Sequence, residues 1–333
     1  MFCATEISNI TFYRWTRQMS KLHVAYDDIY LDWQLGNGDG SHPTNPIRAQ
    51  RALNILQEDY DVEVVNPDAD IMDKAHLQLV HDREYISRVI DAGHSGEWYP
   101  DDKHKGRVAL EMFAGTVRLV EKILAGEAKV AFNPQGAKHH AQYDHSSGFC
   151  VFNDMAWAAR EFAANGYKVM YIDWDAHHGD GVENLLRDFP EIVTCSIHDG
   201  TVFPGTGRDG HEPENGVYNW ALPEYSGDDE FMKAIDEIEE LADTVQPDII
   251  LLAAGADGHK TDPLATLQFD YPGYKYASQT VARIANKYSQ GRILVGGAGG
   301  YQPLVHTPYI WAGVVSWIYD DVIQFNNSMK VPS

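Results

Sequence analysis

Three ionisable side chains, Asp175, His177 and Asp257, have the types and spacing of an open metal site. Asp175 and His177 stand two residues apart directly after an apolar run, so their side chains point the same way if the chain leaves a strand there. Asp257 adds a second carboxylate behind another apolar run. Two carboxylates and one imidazole leave a coordination position open, which is typical of a catalytic zinc rather than a structural one. Taken alone, each of these residues is explained at least as well by a role as a helix cap or an ordinary loop residue as by a role in metal binding.

The adjacent histidines His139 and His140 indicate proton transfer. A histidine near its reference pKa of about 6.5 can take a proton from a metal-bound water and return it to a leaving amine. Asp173 and Asp180 flank the candidate metal ligands in sequence and can orient the two rings through their second nitrogens. For Asp180, capping the helix that starts nearby is the alternative role.

Tyr301 ends a glycine-rich turn, residues 296–300, which allows the backbone to pass close to a ligand. Its hydroxyl can donate a hydrogen bond to an oxygen that becomes negative as a carbonyl turns tetrahedral. Phe149 and Phe203 are either plain core residues or the walls of a narrow apolar slot for an aliphatic chain. The turn carries neither a dinucleotide fingerprint nor a phosphate-binding GK[ST], and H-E-x-x-H and G-x-S-x-G are absent from the chain.

Four apolar runs precede these polar clusters, and they predict the elements that position them. Because the runs lack strict alternation, we interpret them as interior parallel strands covered on both faces. Segments of helical periodicity separate them, which indicates an α/β fold with a mostly parallel sheet and helices on both faces. The carboxyl ends of such strands form one crevice, where the clusters would meet. The predicted strands are residues 129–132, 168–174, 248–254 and 292–295, and the predicted helices are 46–57, 108–125, 154–164, 228–245, 272–288 and 309–325.

Composition excludes some classes of protein. The chain has 333 residues with 26 lysines and arginines against 49 aspartates and glutamates, a net charge of −23, which argues against a nucleic-acid-binding surface. An acidic surface suits cationic substrates, but it is also typical of a merely soluble or salt-adapted protein. No apolar run approaches the roughly 20 residues of a membrane span, and no secretion signal is evident, so we expect a cytoplasmic protein. Three cysteines without C-x-x-C spacing leave no disulfide framework and no cysteine zinc site.

The length is compatible with two domains or one large one. We interpret residues 1–21 as an added N-terminal arm, with a helix as one option, and residues 22–333 as one catalytic domain. The oligomeric state and the purpose of the arm stay open.

Six ordered segments together resemble the zinc-dependent histone deacetylase superfamily, which has the arginase/deacetylase fold. The likeness is greatest to its bacterial histone-deacetylase-like and acetoin-utilisation-protein branch. It implies a single-domain, open-sided α/β fold for residues 22–333. The segments are residues 136–140, 147–154, 171–181, 203–207, 255–264 and 297–301.

The resemblance also implies a role for each candidate residue. One zinc ion per chain would be held by Asp175, His177 and Asp257, with His140 as general base and then acid. Its other implied assignments are His139 as the electrostatic partner of that base, Asp173 and Asp180 as supports of the histidine pair, Tyr301 as the group that polarises the acetyl carbonyl, the Gly148 carbonyl as acceptor of the substrate amide N–H, Phe149, Phe203 and Leu264 as tunnel walls, Arg48 at the inner end of the tunnel, and a structural potassium ion near Asp173 and Ser196.

These implications predict a zinc amidohydrolase that removes acetyl or other short acyl groups from lysine side chains or acetylpolyamines. Lys138 and His259 depart from the family pattern and can alter the acyl or amine preference. One alternative is a manganese-dependent ureohydrolase of the arginase or agmatinase type, which shares a D-A-H element. Here His178 and Gly179 follow that element, so its D-A-H-x-D form is absent. A non-catalytic acyl-group or small-molecule sensor is the other alternative.

Overall fold

The structure is a computed structural model that describes residues 21–36, 42–72, 74–208 and 210–328. The predicted N-terminal arm, residues 1–21, lies outside the described residues except for Lys21. Within the described ranges no helix is long and apolar enough to cross a membrane.

One parallel sheet of eight strands organises the described chain. Its spatial order is β2-β1-β3-β8-β7-β4-β5-β6, and every neighbouring pair of strands is parallel. The prediction of a mostly parallel α/β sheet is therefore confirmed. The strands are β1 Leu22–Ala25, β2 Val62–Val65, β3 Val130–Asn133, β4 Val169–Asp173, β5 Ile192–Asp199, β6 Val217–Leu222, β7 Ile249–Ala253 and β8 Ile293–Gly296.

The four predicted strands correspond to β3, β4, β7 and β8, and they lie side by side at the centre of the sheet in the order β3-β8-β7-β4. All their residues are buried, as the absence of alternation indicates for strands covered on both faces. Because the strands are parallel, their four carboxyl ends open onto one edge. The loops that carry the polar clusters leave from that edge.

Helices form two layers around the sheet. On one side α7 packs on α8, α8 on α9 and α9 on α1, while α4 packs on α5 and α5 on α6 in the other layer. The predicted start of α4 at residue 108 was wrong: the helix begins at Lys103, because the Asp102 side chain accepts hydrogen bonds from two backbone N–H groups of the first turn. The described residues contain the α-helices α1 Ile47–Asp59, α2 Lys74–Gln78, α3 Arg83–Ser87, α4 Lys103–Leu124, α5 Asp154–Ala164, α6 Asp180–Leu186, α7 Asp228–Val245, α8 Tyr271–Tyr288 and α9 Thr307–Ser328.

Candidate active site

Asp175, His177 and Asp257 come together at the carboxyl edge of the sheet, just beyond β4 and β7. Their candidate ligand atoms all lie within 4.8 Å of one another, and all three residues are buried. His177 Nδ1 is 2.9 Å from Asp257 Oδ2 and 3.1 Å from Asp175 Oδ1. Ligand atoms bound at about 2.0–2.2 Å in a tetrahedral zinc site are roughly 3.3 Å apart, so the donor set and its spacing fit one zinc ion.

Backbone N–H groups fix the orientation of both carboxylates. Ala176 donates to Asp257 Oδ1 at 2.9 Å, and Gly299 donates to Asp175 Oδ2 at 2.5 Å. Each carboxylate thereby keeps its other oxygen facing His177. A Cβ on Gly299 would collide with both carboxylates, so the glycine-rich turn is needed here for close approach.

The two histidines have separate carboxylate partners. His139 Nδ1 lies 2.7 Å from Asp173 Oδ2, and His140 Nδ1 lies 2.8 Å from Asp180 Oδ1. Asp180 is the first residue of α6, but its side chain binds the histidine instead of capping the helix. The ring centroids of the two histidines are 4.0 Å apart. With Nδ1 of each ring bound to its carboxylate, His139 Nε2 lies 3.7 Å from Asp175 Oδ1, beside the candidate metal ligands.

These environments push the pKa values of the pair apart. Burial, followed by the neighbouring His139, lowers the pKa of His140 to about 4, although Asp180 opposes this. Burial also disfavours the charged form of His139, but the carboxylates of Asp173 and Asp175 outweigh it and raise its pKa to about 9. At neutral pH one ring is therefore protonated and the other is a free base, which is the division expected of a general-base pair.

Tyr301 lies beside His177 and Phe149. Its ring centroid is 6.3 Å from those of His177 and Phe149. Its backbone N–H donates to Asp262 Oδ2 at 2.8 Å, and its hydroxyl has no hydrogen-bond partner within the described residues. Burial and the carboxylates of Asp257 and Asp175 raise the pKa of Tyr301 well above the ordinary value, so the hydroxyl stays a donor at neutral pH.

An outer cavity of about 370 Å³ leads to this group of residues. Gly148 and Phe149 both have left-handed backbone angles, φ +53° and +64°, which turn this loop over His140. Most of the lining is apolar or aromatic, as in a slot for an aliphatic chain. The predicted tunnel residues Gly148, Phe149, Phe203 and Leu264 line it together with His140, His177, Tyr301 and Glu97.

The motifs did not predict Glu97, which comes from a loop ahead of α4. Its Oε2 accepts the Phe149 backbone N–H at 2.9 Å, and burial raises the pKa of its carboxyl. Nothing in the local sequence marks this glutamate, because only the tertiary fold brings its loop beside the 148–149 turn. It places a carboxylate among lining residues that are mostly apolar or aromatic.

Three other predicted positions are also placed by the structure. Asp173 and Ser196 are directly opposed in neighbouring strands, but the Ser196 hydroxyl bonds His198 at 3.0 Å, and potassium there stays a prediction. Arg48 is buried and its Nη1 donates to the Gly300 carbonyl at 2.5 Å. His259 stacks on His306 with centroids 4.2 Å apart and is not among the described residues lining the outer cavity.

The chain is similar to known proteins along most of its length. Residues 42–318 match the histone deacetylase domain. The chain is 28% identical to the acetoin utilization protein AcuC of Staphylococcus aureus strain MRSA252, covering 92% of this chain and 84% of that protein. It is 31% identical to AcuC of Bacillus subtilis strain 168, covering 82% and 77%. A probable deacetylase of Archaeoglobus fulgidus is 32% identical over 62% of this chain and 60% of that protein.

A solved structure, the HD domain of HDA15, shares the fold with a TM-score of 0.76 and 23% identity, covering 92% of this chain and 96% of that one. The matched domain spans most of the chain, including the candidate metal ligands, the histidine pair and Tyr301. This chain therefore belongs to the histone deacetylase family.

Proposed function

We propose that this protein is a zinc-dependent amidohydrolase that removes acetyl or other short acyl groups from primary amines. Membership of the histone deacetylase family supports a deacetylase. The observation that carries the proposal is the outer cavity, which ends at a carboxylate-imidazole-carboxylate cluster flanked by His140 and Tyr301. Within the described ranges, Asp175, His177 and Asp257 form the one group of three such side chains whose ligand atoms lie within 4.8 Å of one another, which supports a single zinc ion.

Asp175, His177 and Asp257 would hold the zinc ion. When bound at such a site, zinc polarises a carbonyl and acidifies a water molecule. The chain's own residues then do the positioning. Phe149 and Phe203 hold the aliphatic chain of the substrate, and the Gly148 carbonyl accepts its amide N–H.

His140 and Tyr301 carry the chemistry that belongs to the protein. His140 is uncharged at neutral pH, so its Nε2 can take a proton from the attacking water while Asp180 holds Nδ1. The protonated ring then delivers that proton to the leaving amine as the tetrahedral intermediate collapses. Tyr301 donates a hydrogen bond to the carbonyl oxygen as it becomes negative. His139, held by Asp173, adds positive charge beside the base.

The amine is an acyl-lysine side chain or an acetylpolyamine. Both present an aliphatic chain of the kind that the apolar slot accommodates. Glu97 and the net charge of −23 favour a substrate that carries an ammonium group beyond the amide. We place the enzyme in the cytoplasm, and we include a structural potassium ion near Asp173 and Ser196 in the proposal.

The test is metal analysis combined with an assay of amine release. Purified protein would be analysed for zinc, manganese and potassium, and then assayed with acetyl-lysine peptides and acetylated diamines before and after chelation. We expect one zinc per chain, amine release that chelation abolishes and zinc restores, and loss of metal in Asp257→Asn.

Two results would overturn the proposal. Two manganese ions per chain with urea release from a guanidino compound would identify a ureohydrolase. Stoichiometric zinc without hydrolysis of any acylated amine would indicate a sensor.

A further inference from the structure

A second, inner cavity adjoins the outer one at the reactive centre. Four residues line both cavities, namely Gly148, Phe149, His140 and Tyr301. The inner cavity offers about 20 Å³ to the centres of water-sized groups, where a single water needs about 10–15 Å³. An amide held at the shared residues therefore has its amine side in the outer cavity and its acyl side facing the inner one.

Besides His139, whose Nδ1 is paired with Asp173, two cationic residues line the inner cavity, namely Arg48 and Lys138. Arg48 is 2% exposed and Lys138 9% exposed. Arg48 donates through Nη1 to the Gly300 carbonyl, while its Nε has no partner among the described residues. The Lys138 ammonium has neither a hydrogen bond nor an ion pair with any described residue. Burial lowers the pKa of Lys138 to about 8, which leaves most of it protonated at neutral pH.

The acidic groups around Lys138 have other partners. Asp154 accepts hydrogen bonds from Thr116 and from the backbone N–H groups of Ala137 and Lys138, at 2.6 to 3.0 Å. Asp175 is held by Gly299 and faces the candidate metal. Burial raises the pKa of the Cys150 thiol to about 12, so the thiol is neutral. Lys138 and Arg48 thus share one small cavity, and neither forms an ion pair with a described carboxylate, although nearby carboxylates act on both at longer range. A carboxylate placed between them could accept charge-assisted hydrogen bonds from both.

We propose that Lys138 and Arg48 form a binding site for the terminal carboxylate of a dicarboxylic acyl group, so that the enzyme hydrolyses malonyl-lysine and similar short acidic acyl-amines. The inference rests on the proposed function and names its acyl class. Malonyl is the acetyl group with one methyl hydrogen replaced by a carboxylate, so it extends acetyl by a single charged group. The room for one or two small groups fits that extension and disfavours long chains.

The reaction balances as ordinary hydrolysis. Water adds to the amide carbon and the C–N bond breaks. One water proton goes to the nitrogen as the C–N bond breaks, and the second passes from the newly formed carboxylic acid to the released amine. The products are therefore the ammonium form of the amine and the dicarboxylate dianion. Lys138 and Arg48 contact only the distal carboxylate, so they act as specificity residues.

The experiment compares kcat/KM of the zinc-loaded enzyme for one peptide carrying acetyl-lysine or malonyl-lysine. Lys138→Met removes the charge at similar volume, Lys138→Arg keeps it, and Lys275→Met is a matched control at an exposed lysine. We expect the malonyl-to-acetyl ratio to fall about 10- to 100-fold in Lys138→Met, the effect of losing one charge-assisted hydrogen bond. The ratio should be largely retained in Lys138→Arg and unchanged in Lys275→Met.

Malonate binding supplies a readout independent of turnover. Malonate should raise the melting temperature of the wild-type protein more than that of Lys138→Met. A wild-type enzyme that hydrolyses acetyl-lysine but not malonyl-lysine, or a ratio unchanged in Lys138→Met, would overturn this inference and leave the proposed function intact. If no acyl-lysine is hydrolysed the proposed function fails, and malonate stabilisation that depends on Lys138 still decides whether the anion site exists.

Discussion

Replacing Tyr301 with phenylalanine isolates one hydrogen bond at the reactive centre. The ring is retained, so its edge contacts with Phe149 and His177 stay. The backbone N–H keeps its bond to Asp262, which the side chain does not affect. Since the hydroxyl bonds no described residue, its removal breaks no hydrogen bond within the part of the chain that the structure describes.

The whole effect should therefore fall on the transition state. Loss of one donor to a developing oxyanion typically lowers kcat by about 100- to 1000-fold, or roughly 2.7–4 kcal/mol. KM should change little, because a neutral carbonyl gains much less from this hydrogen bond than an oxyanion does. The melting temperature and the metal content should equal those of the wild type.

The assay is steady-state release of amine from an acetyl-lysine peptide by zinc-loaded protein, with melting temperature and zinc content measured on the same sample. Tyr225→Phe is the matched control, since Tyr225 is 67% exposed and lines neither catalytic cavity. A Tyr301→Phe enzyme with kcat within threefold of wild type would refute the assigned role. A rise in KM with unchanged kcat would show that the tyrosine only binds substrate.

Three substitutions around the same site give further expected outcomes. Asp180→Asn removes a carboxylate that raises the pKa of His140, so the acid limb of the pH profile of kcat should move to lower pH by about one pH unit. In the same variant, kcat at pH 7 should fall about 10- to 100-fold, because the ring loses the carboxylate that orients it. A pH profile of kcat checks both effects. Gly299→Ala places a Cβ against the Asp257 carboxylate and should weaken zinc binding about tenfold or more. Chelator competition measures the Kd for zinc, and an unchanged Kd would contradict the assigned ligands. Glu97→Gln should raise KM about tenfold for an acetylated diamine but not for a neutral acetamide of equal length, and equal changes for both would exclude an ammonium site.

The central strands could be predicted from sequence because they are buried on both faces. Each boundary of β3, β4, β7 and β8 lies within one residue of its predicted position. The edge strand β6 gave a weaker pattern, because it is only partly buried and Asn219 interrupts its apolar residues. The early start of α4 depends on one aspartate cap, which periodicity does not reveal.

The candidate metal ligands could also be predicted from sequence, since parallel strands bring the loops at their carboxyl ends to one edge of the sheet. Asp175, His177 and Asp257 were predicted to meet, and they do so through β4 and β7, which are adjacent in the sheet. The pairing of His139 with Asp173 and of His140 with Asp180 depends on where each ring is held, which the order of residues alone does not fix.

The amino-acid sequence by itself determined which kinds of side chain lie at the candidate site, because strand patterning and motif spacing are local properties of the chain. Only the tertiary structure decided which carboxylate supports which histidine, that Glu97 enters the outer cavity, and that Lys138 and Arg48 share the inner one. These contacts are between loops and helices that are far apart in the chain. The pKa values and the charge balance of the site depend on burial and on the distances between atoms, which are set only when the chain folds.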